Sequence, residues 1–271
     1  MNTLSNSRKL TEAAIMLAIG TVLSLIKLID LPYGGSVTIA SMLPVVIIAY
    51  RHGIKWGLMT GFVFGVIQQL LGLNTLSYAT GWQSVVAIIL LDYVVAFMVA
   101  GFGGIFKKAL KQPQALFAGS LFICVLRYIC HVITGCTVWA GLSIPTGAAF
   151  VYSLSYNATY MIPETIVTMF VGYYIGSVLD FTSENLRPYS AAREEKVPVL
   201  RWIAGIFIAG GLVFDITSVF SKLQNGESGE FDITGLSSVS WTPVIIVSAA
   251  AAVIAAVLFC VSAKKSRVEA A

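Results

Sequence analysis

Charge is scarce in this sequence. Asp, Glu, Lys and Arg make up 11% of its 271 residues, 57% are hydrophobic, and the mean hydropathy is +0.85. Soluble domains carry about 25% charged residues, so a soluble enzyme or binding module is excluded. The four cysteines, Cys124, Cys130, Cys136 and Cys260, all lie in apolar runs without CxxC spacing. They read as small buried hydrophobes, which speaks against disulfides and metal ligation. No GxxxxGK[ST], HExxH or GxSxG motif occurs, so neither an ATPase nor a hydrolase is expected. Glu194 and Glu195 fall in a polar stretch, not at membrane depth, which leaves an intramembrane protease poorly supported. The sequence calls for no metal or cofactor. The net charge of +4 comes from clusters at the edges of apolar runs, not from a patch suited to nucleic acid. Internal repeats, low-complexity tracts and matched broken-helix halves are also lacking, against an inverted-repeat carrier. The opening MNTLSNSRK is polar and the first apolar run is too long for a leader's h-region, so no cleavable signal is expected.

What the sequence has is long apolar runs. They predict an all-α, polytopic membrane protein with helices near 9–30, 36–50, 53–73, 82–105, 114–141, 148–180, 198–221 and 241–263. The second is short and carries Pro44, so a kink, a tilt or cover from neighbouring helices is expected. The sixth is long and holds Pro163, expected to bend it. Basic residues fall in alternate gaps: Arg8 and Lys9, Arg51 and Lys55, Lys107 to Lys111, Arg187 to Arg201, Lys264 to Arg267. The gaps 74–81 and 142–147 hold no charge, and 222–240 is mainly acidic. This alternation predicts eight spans with both termini cytoplasmic, in a cell membrane. The domain reading is a six-helix unit at 1–182, a cytoplasmic linker at 183–197 and a two-helix membrane tail at 198–271.

Several polar groups lie at membrane depth, where ionisable residues usually have a task. His131, Gly135 and Trp139 recur every four residues along one stripe, and Arg127 continues it one turn earlier. An imidazole, a gap and an indole on one face suit a flat ring; a helix-packing seam is the alternative for each residue alone. Asp92, followed by Tyr93, interrupts VAIILLDYVVAF and needs a partner; Arg127 is the nearest by depth, and a bound cation is the other. Ser153, Asn157, Tyr160 and Glu164 share a face of the sixth helix, with Tyr152 at its outer mouth. Glu164 reads equally well as structural. Gln68, Gln69 and Trp82 lie near outer helix ends. The convergence predicts an outward-open pocket in which one carboxylate and the aromatics Trp82, Tyr93, Trp139 and Tyr152 favour a flat cationic ligand.

Residues 9–182 resemble the thiamine-specific substrate-binding subunits (S-components) of energy-coupling factor vitamin importers, the ThiT/YuaJ family. The resemblance rests on YGGSVTIASMLPVVIIAYRHG, LLDYVVAF, RYICHVITGCTVW and VYSLSYN. It implies a six-helix fold to which the tail is an addition, and a non-enzymatic role in thiamine uptake. It implies three kinds of partner: thiamine, a membrane coupling subunit, and two cytoplasmic ATPases that supply the energy. By matching motifs, the ligand residues would be Trp82, Asp92, Tyr93, His131, Gly135, Trp139, Tyr152 and Asn157, with Arg127 and Glu164 behind them. Glutamate is common in the family at Asp92, and some members have tryptophan at the position of Gly35 and tyrosine at that of Trp82. Ala14 and Ala18 match a small-residue face that the family uses to dock on the coupling subunit. The alternatives are an S-component for another vitamin or a thiamine precursor, and a stand-alone ion-coupled carrier using Asp92 and Glu164.

Overall fold

The computed structural model describes residues 5–31, 34–79, 81–140, 146–189, 199–223 and 233–269, excluding the side chains of 137–148 and of some tail residues. The chain divides into two compact units, Met1–Ser190 and Ala191–Ala271.

The first unit begins with α1 (Asn6–Leu25), whose N-cap Ser5 accepts a hydrogen bond from the Arg8 amide at 3.3 Å. The helix stops short of the expected residue 30. Lys27–Asp30 (β1) instead pairs antiparallel with Ser36–Thr38 (β2). Gly34, at φ +95°, supplies the left-handed conformation in the connection between them. The expected second helix therefore begins late. Residues 36–38 are extended, and α2 runs Leu43–His52. Pro44 does not kink it: Pro44 lies in its first turn, where the missing N–H costs nothing. Every residue from Leu43 to Tyr50 is buried. Ten residues rise only about 15 Å, and this helix is a core element enclosed by its neighbours.

Gly53, at φ +93°, ends α2 and opens α3 (Ile54–Leu71). A continuous helical segment, α4, follows at Trp82–Lys108; it is π-helical over Ile88–Val95 and 3₁₀ over Val99–Lys108. Then come α5 (Gln112–Ala140) and α6 (Thr146–Val178), which contains Pro163. A short antiparallel pair, β3 (Leu179–Asp180) with β4 (Arg187–Pro188), closes the unit. Arg51 ties its ends together. Nε donates to Glu12 at 2.6 Å, Nη1 to the Ser183 carbonyl at 2.7 Å, and Nη2 to the Glu184 carbonyl at 2.6 Å.

The second unit holds α7 (Val199–Leu223) and α8 (Trp241–Glu269). An added Cβ on Gly211 would approach the Ala251 methyl within 2.9 Å. Asp215 of α7 accepts a hydrogen bond from Ser248 of α8, which gives this carboxylate a partner inside the hairpin.

Among the described residues, five helices are long and apolar enough to cross a membrane, namely α3 and α4 together with Gln112–Cys136, Ala149–Val178 and Trp241–Leu258. Exposed Leu, Ile, Val and Phe side chains occur in all of them, as expected of lipid-facing surface. The protein is a multi-pass helical membrane protein.

A glycine seam packs α3 closely against α4. A Cβ on Gly57 would meet Gly101 at 2.8 Å, one on Gly61 the Phe97 carbonyl at 2.7 Å, and one on Gly65 the Tyr93 carbonyl at 2.9 Å. Three glycines four residues apart bring the two backbones into contact, and α4 carries Asp92 and Tyr93. Gly61→Val should push the helices apart. It should cost about 1–3 kcal/mol, read as a lower thermal unfolding temperature in detergent, whereas the same change at lipid-exposed Phe62 should have little effect.

Candidate ligand site

A cavity of about 310 Å³ opens between α3, α4, α5, α6 and the β1–β2 ribbon. That is at the small end of small-molecule sites, about 300–1,000 Å³. Asp92, Tyr93, Arg127, His131, Gly135 and Asn157 all line it.

Asp92 and Tyr93 are neighbours in sequence, yet both face the cavity. They lie in the π-helical segment, whose wider turns separate adjacent side chains by a smaller angle than an α-helix does. The expected partner of Asp92 was Arg127, but the carboxylate meets His131 instead. Nδ1 of the imidazole lies 2.5 Å from Asp92 Oδ1, and 30% of the Asp92 side chain remains accessible. Arg127 lies with its guanidinium carbon 4.7 Å from the centre of the Phe97 ring, a cation–π contact. Its Nε and Nη1 are buried and have no hydrogen-bond partner among the described residues. Electrostatic attraction reaches it from Glu164.

Gly135 serves close approach. A Cβ there would lie 2.1 Å from Ser153 Oγ, which donates to the Val132 carbonyl at 2.8 Å. One turn further along α6, Asn157 Nδ2 donates to the carbonyls of Ser153 at 2.8 Å and His131 at 3.3 Å, and Tyr160 donates to Asn157 Oδ1 at 2.5 Å. The amide of Asn157 is therefore oriented by three partners. Tyr93 Oη lies 3.3 Å from Thr75 Oγ1 and 3.4 Å from the Gly72 carbonyl, with its ring stacked on Phe97 at 6.2 Å.

The other sequence candidates lie elsewhere. Trp82 is 72% exposed and lines a shallow groove on α4 with Val86 and Leu90, not the cavity. Tyr152 is buried and stacks on Tyr156, ring centres 6.5 Å apart, without lining the cavity. The Trp139 side chain lies outside the described residues. Glu164 lines nothing; its carboxylate accepts from the Thr38 amide at 2.6 Å and the Thr38 hydroxyl at 2.8 Å. Ala14 and Ala18 lie on an exposed face of α1.

Three features escaped sequence reasoning as site components. Tyr156 walls the cavity beside Tyr160, which the sequence already placed on the face of Asn157, and accepts from the Gly35 amide at 3.1 Å. The four-residue spacing of Tyr152, Tyr156 and Tyr160 was the available signal. The β1–β2 ribbon supplies Lys27, Gly34, Gly35 and Ser36, and the turn after α3 supplies Asn74, Thr75 and Tyr78. Gly35, where the resemblance places a tryptophan in some members, has no room for one here: a Cβ would lie 2.7 Å from both Tyr156 Oη and the Tyr160 ring. Those tyrosines occupy that side of the cavity.

Residues 10–181, which contain every element of the cavity, match the thiamine transporter protein family Thia_YuaJ. The chain belongs to this family. The Thiamine transporter ThiT of Bacillus subtilis is 35% identical over 188 residues, covering 63% of this chain and 91% of that protein. The Thiamine transporter ThiT of Lacticaseibacillus paracasei is 28% identical over 178 residues, covering 59% and 82%. The solved structure of ThiT from Listeria monocytogenes shares the fold with a TM-score of 0.52 at 22% identity, over 63% of this chain and 95% of that one. Family membership makes the chain a transport protein, not an enzyme. The family match stops at residue 181, so the α7–α8 unit lies outside the family region.

Gly135→Ala should lower the unfolding temperature by pressing α5 and α6 apart, at a cost of about 1–3 kcal/mol. Adding Ser153→Ala removes the atom struck and should restore most of that loss. A double variant no more stable than Gly135→Ala would show that Ser153 is not what the methyl meets.

Proposed function

We propose that the chain is the thiamine-binding S-component of an energy-coupling factor importer. It holds the vitamin in the cavity between α3, α4, α5 and α6, open to the outside. A membrane coupling subunit and two cytoplasmic ATPases then drive uptake. Both termini lie in the cytoplasm, in keeping with the alternation of basic gaps. The observation that carries the ligand reading is Asp92, a partly accessible carboxylate at membrane depth, fixed by His131 and set among Tyr93, Phe97, Tyr156 and Tyr160.

A thiazolium cation that leaves water needs an anion or π faces nearby, and this cavity offers both. Lys27 is balanced by Asp30, 2.9 Å away on the same ribbon, and Arg127 is attracted to Glu164. Asp92 is then the carboxylate left for the ligand. Tyr93, His131, Gly135 and Asn157 complete the contact set. The thiamine transporters to which the chain is similar support the choice of vitamin.

Asp92→Asn keeps shape and removes charge. It should weaken thiamine binding by about 2–5 kcal/mol, measured by calorimetry on folded, detergent-purified protein, and weaken a neutral pyrimidine analogue far less. Asp92→Glu should be tolerated better. An equal loss for charged and neutral ligands would refute the cation-partner role.

Docking uses α1. Ala14 and Ala18 are exposed beside Ile15, Ile19 and Val22, an apolar strip four residues in period. Leucine at both alanines should block co-purification with the coupling subunit and ATPases, while thiamine binding by the isolated subunit stays unchanged. Normal assembly would move the docking face elsewhere.

A further inference from the structure

We infer that Glu164 is a positioning residue for ligand retention, acting by fastening one wall of the cavity from behind. The inference rests on the thiamine reading above. The wall is the segment Gly34–Ser36, which lines the cavity, and it continues into Thr38, which does not. Thr38 is where the segment is held. Its amide donates to Glu164 Oε2 at 2.6 Å and its hydroxyl to Glu164 Oε1 at 2.8 Å. A hydroxyl has one proton to give, so with that proton on Glu164, Ser41 Oγ at 2.8 Å donates to Thr38 in turn. All three residues are buried. The β1 strand that pairs with this segment is itself exposed along its length, so the buried hold comes from α6.

A second tether lies nearer the mouth, where the Gly35 amide donates to Tyr156 Oη at 3.1 Å. Both tethers belong to α6. Eight residues separate Tyr156 from Glu164, about 12 Å along the helix, so α6 grips the segment at two levels. Both oxygens of Glu164 accept from Thr38, and the residue does not line the cavity, which places it behind the wall and not against the ligand.

Three variants separate this role from a charge effect on Arg127. Glu164→Gln removes the charge but can still meet the Thr38 amide with its oxygen and the hydroxyl with its NH₂. Glu164→Ala removes charge and bonds together. Thr38→Val keeps the charge and the amide bond but deletes the hydroxyl's bonds to Glu164 and Ser41. Hydrogen exchange of ligand-free protein in detergent should rise over 34–41 in Glu164→Ala, rise less in Thr38→Val, and stay close to wild type in Glu164→Gln. Thiamine dissociation should accelerate in the same order, roughly tenfold for Glu164→Ala, with the same factor for a neutral pyrimidine analogue. If Glu164→Ala fails to fold, Thr38→Val against wild type decides. The fastening role is overturned if Gln and Ala behave alike, or if exchange over 34–41 does not change. Failure of wild-type protein to bind thiamine would overturn the ligand reading instead, and the exchange arm would still decide what holds the wall.

Discussion

An aspartate in the middle of an apolar helix has to find a donor. Insertion into hydrocarbon costs about 2.5–3.5 kcal/mol for such a residue, and Asp92 has no polar neighbour on its own helix except Tyr93. The donor is His131, on α5. That single contact sets much of the architecture around it. It requires α4 and α5 side by side at this depth, and it orients the imidazole so that its ring packs edge-on against Tyr160, 5.9 Å between centres. Tyr160 in turn donates to Asn157, and Asn157 donates back to the backbone of α5. A closed polar circuit thus joins α4, α5 and α6, with the cavity at its edge. The bonds it makes rigidify the core, while His131 Nε2 is buried and has no hydrogen-bond partner among the described residues.

Much of this was legible in the sequence, and the reasons for the rest are specific. The helices were readable because an apolar run of eighteen or more residues has few other uses. Asp92, His131 and Asn157 stood out because polar side chains at membrane depth are costly. Their partners did not stand out. Arg127 and His131 lie one turn apart on the same stripe, and only three-dimensional packing selects the histidine for Asp92. The β1–β2 ribbon was misread as two helix ends. Its residues, Lys27–Asp30 and Ser36–Thr38, are apolar enough to extend the flanking runs, and period alone does not separate a short strand from a helix end. Pro44 was read as a sign of a kink, a tilt or cover by neighbouring helices; the cover is found, and the proline marks a start because the boundary lay seven residues past the expected one. Trp82 was grouped with the pocket on residue type, and its exposed position on α4 could not be told from the helical period of its neighbours.

The glycine seam shows how a packing signal passes unnoticed when attention goes to polar residues. Gly57, Gly61 and Gly65 are spaced as a helix-contact face should be. Their consequence reaches the site, because the last of them abuts the Tyr93 carbonyl inside the π-helical segment. Close approach there leaves α4 little freedom to rotate, and the widened turn is what lets Asp92 and Tyr93 share one cavity. Gly72 adds to this. A Cβ on it would strike Tyr93 Oη at 2.1 Å, so the position of that phenol is bounded by backbone on one side and Phe97 on the other.

The charges around the cavity can then be weighed against one another. Four acidic or basic side chains besides His131 bear on it: Lys27, Asp92, Arg127 and, from behind, Glu164. Lys27 has its counter-ion at 2.9 Å on the same exposed ribbon, where an ion pair is worth at most about 1 kcal/mol. Arg127 is buried, shares the π face of Phe97, and is attracted to Glu164. Neither cation therefore neutralises Asp92 directly; the group touching it is an imidazole. A carboxylate held by hydrogen bonding, still 30% accessible and bordered by aromatic rings, gives a desolvated cation its countercharge without competition from a fixed one. Had Arg127 taken the place of His131, the Asp92 carboxylate would already be paired with a permanent positive charge, and a second cation could reach it only by displacing that pair. The choice of histidine over arginine as the partner of Asp92 is thus what keeps the proposed site open to a positively charged vitamin.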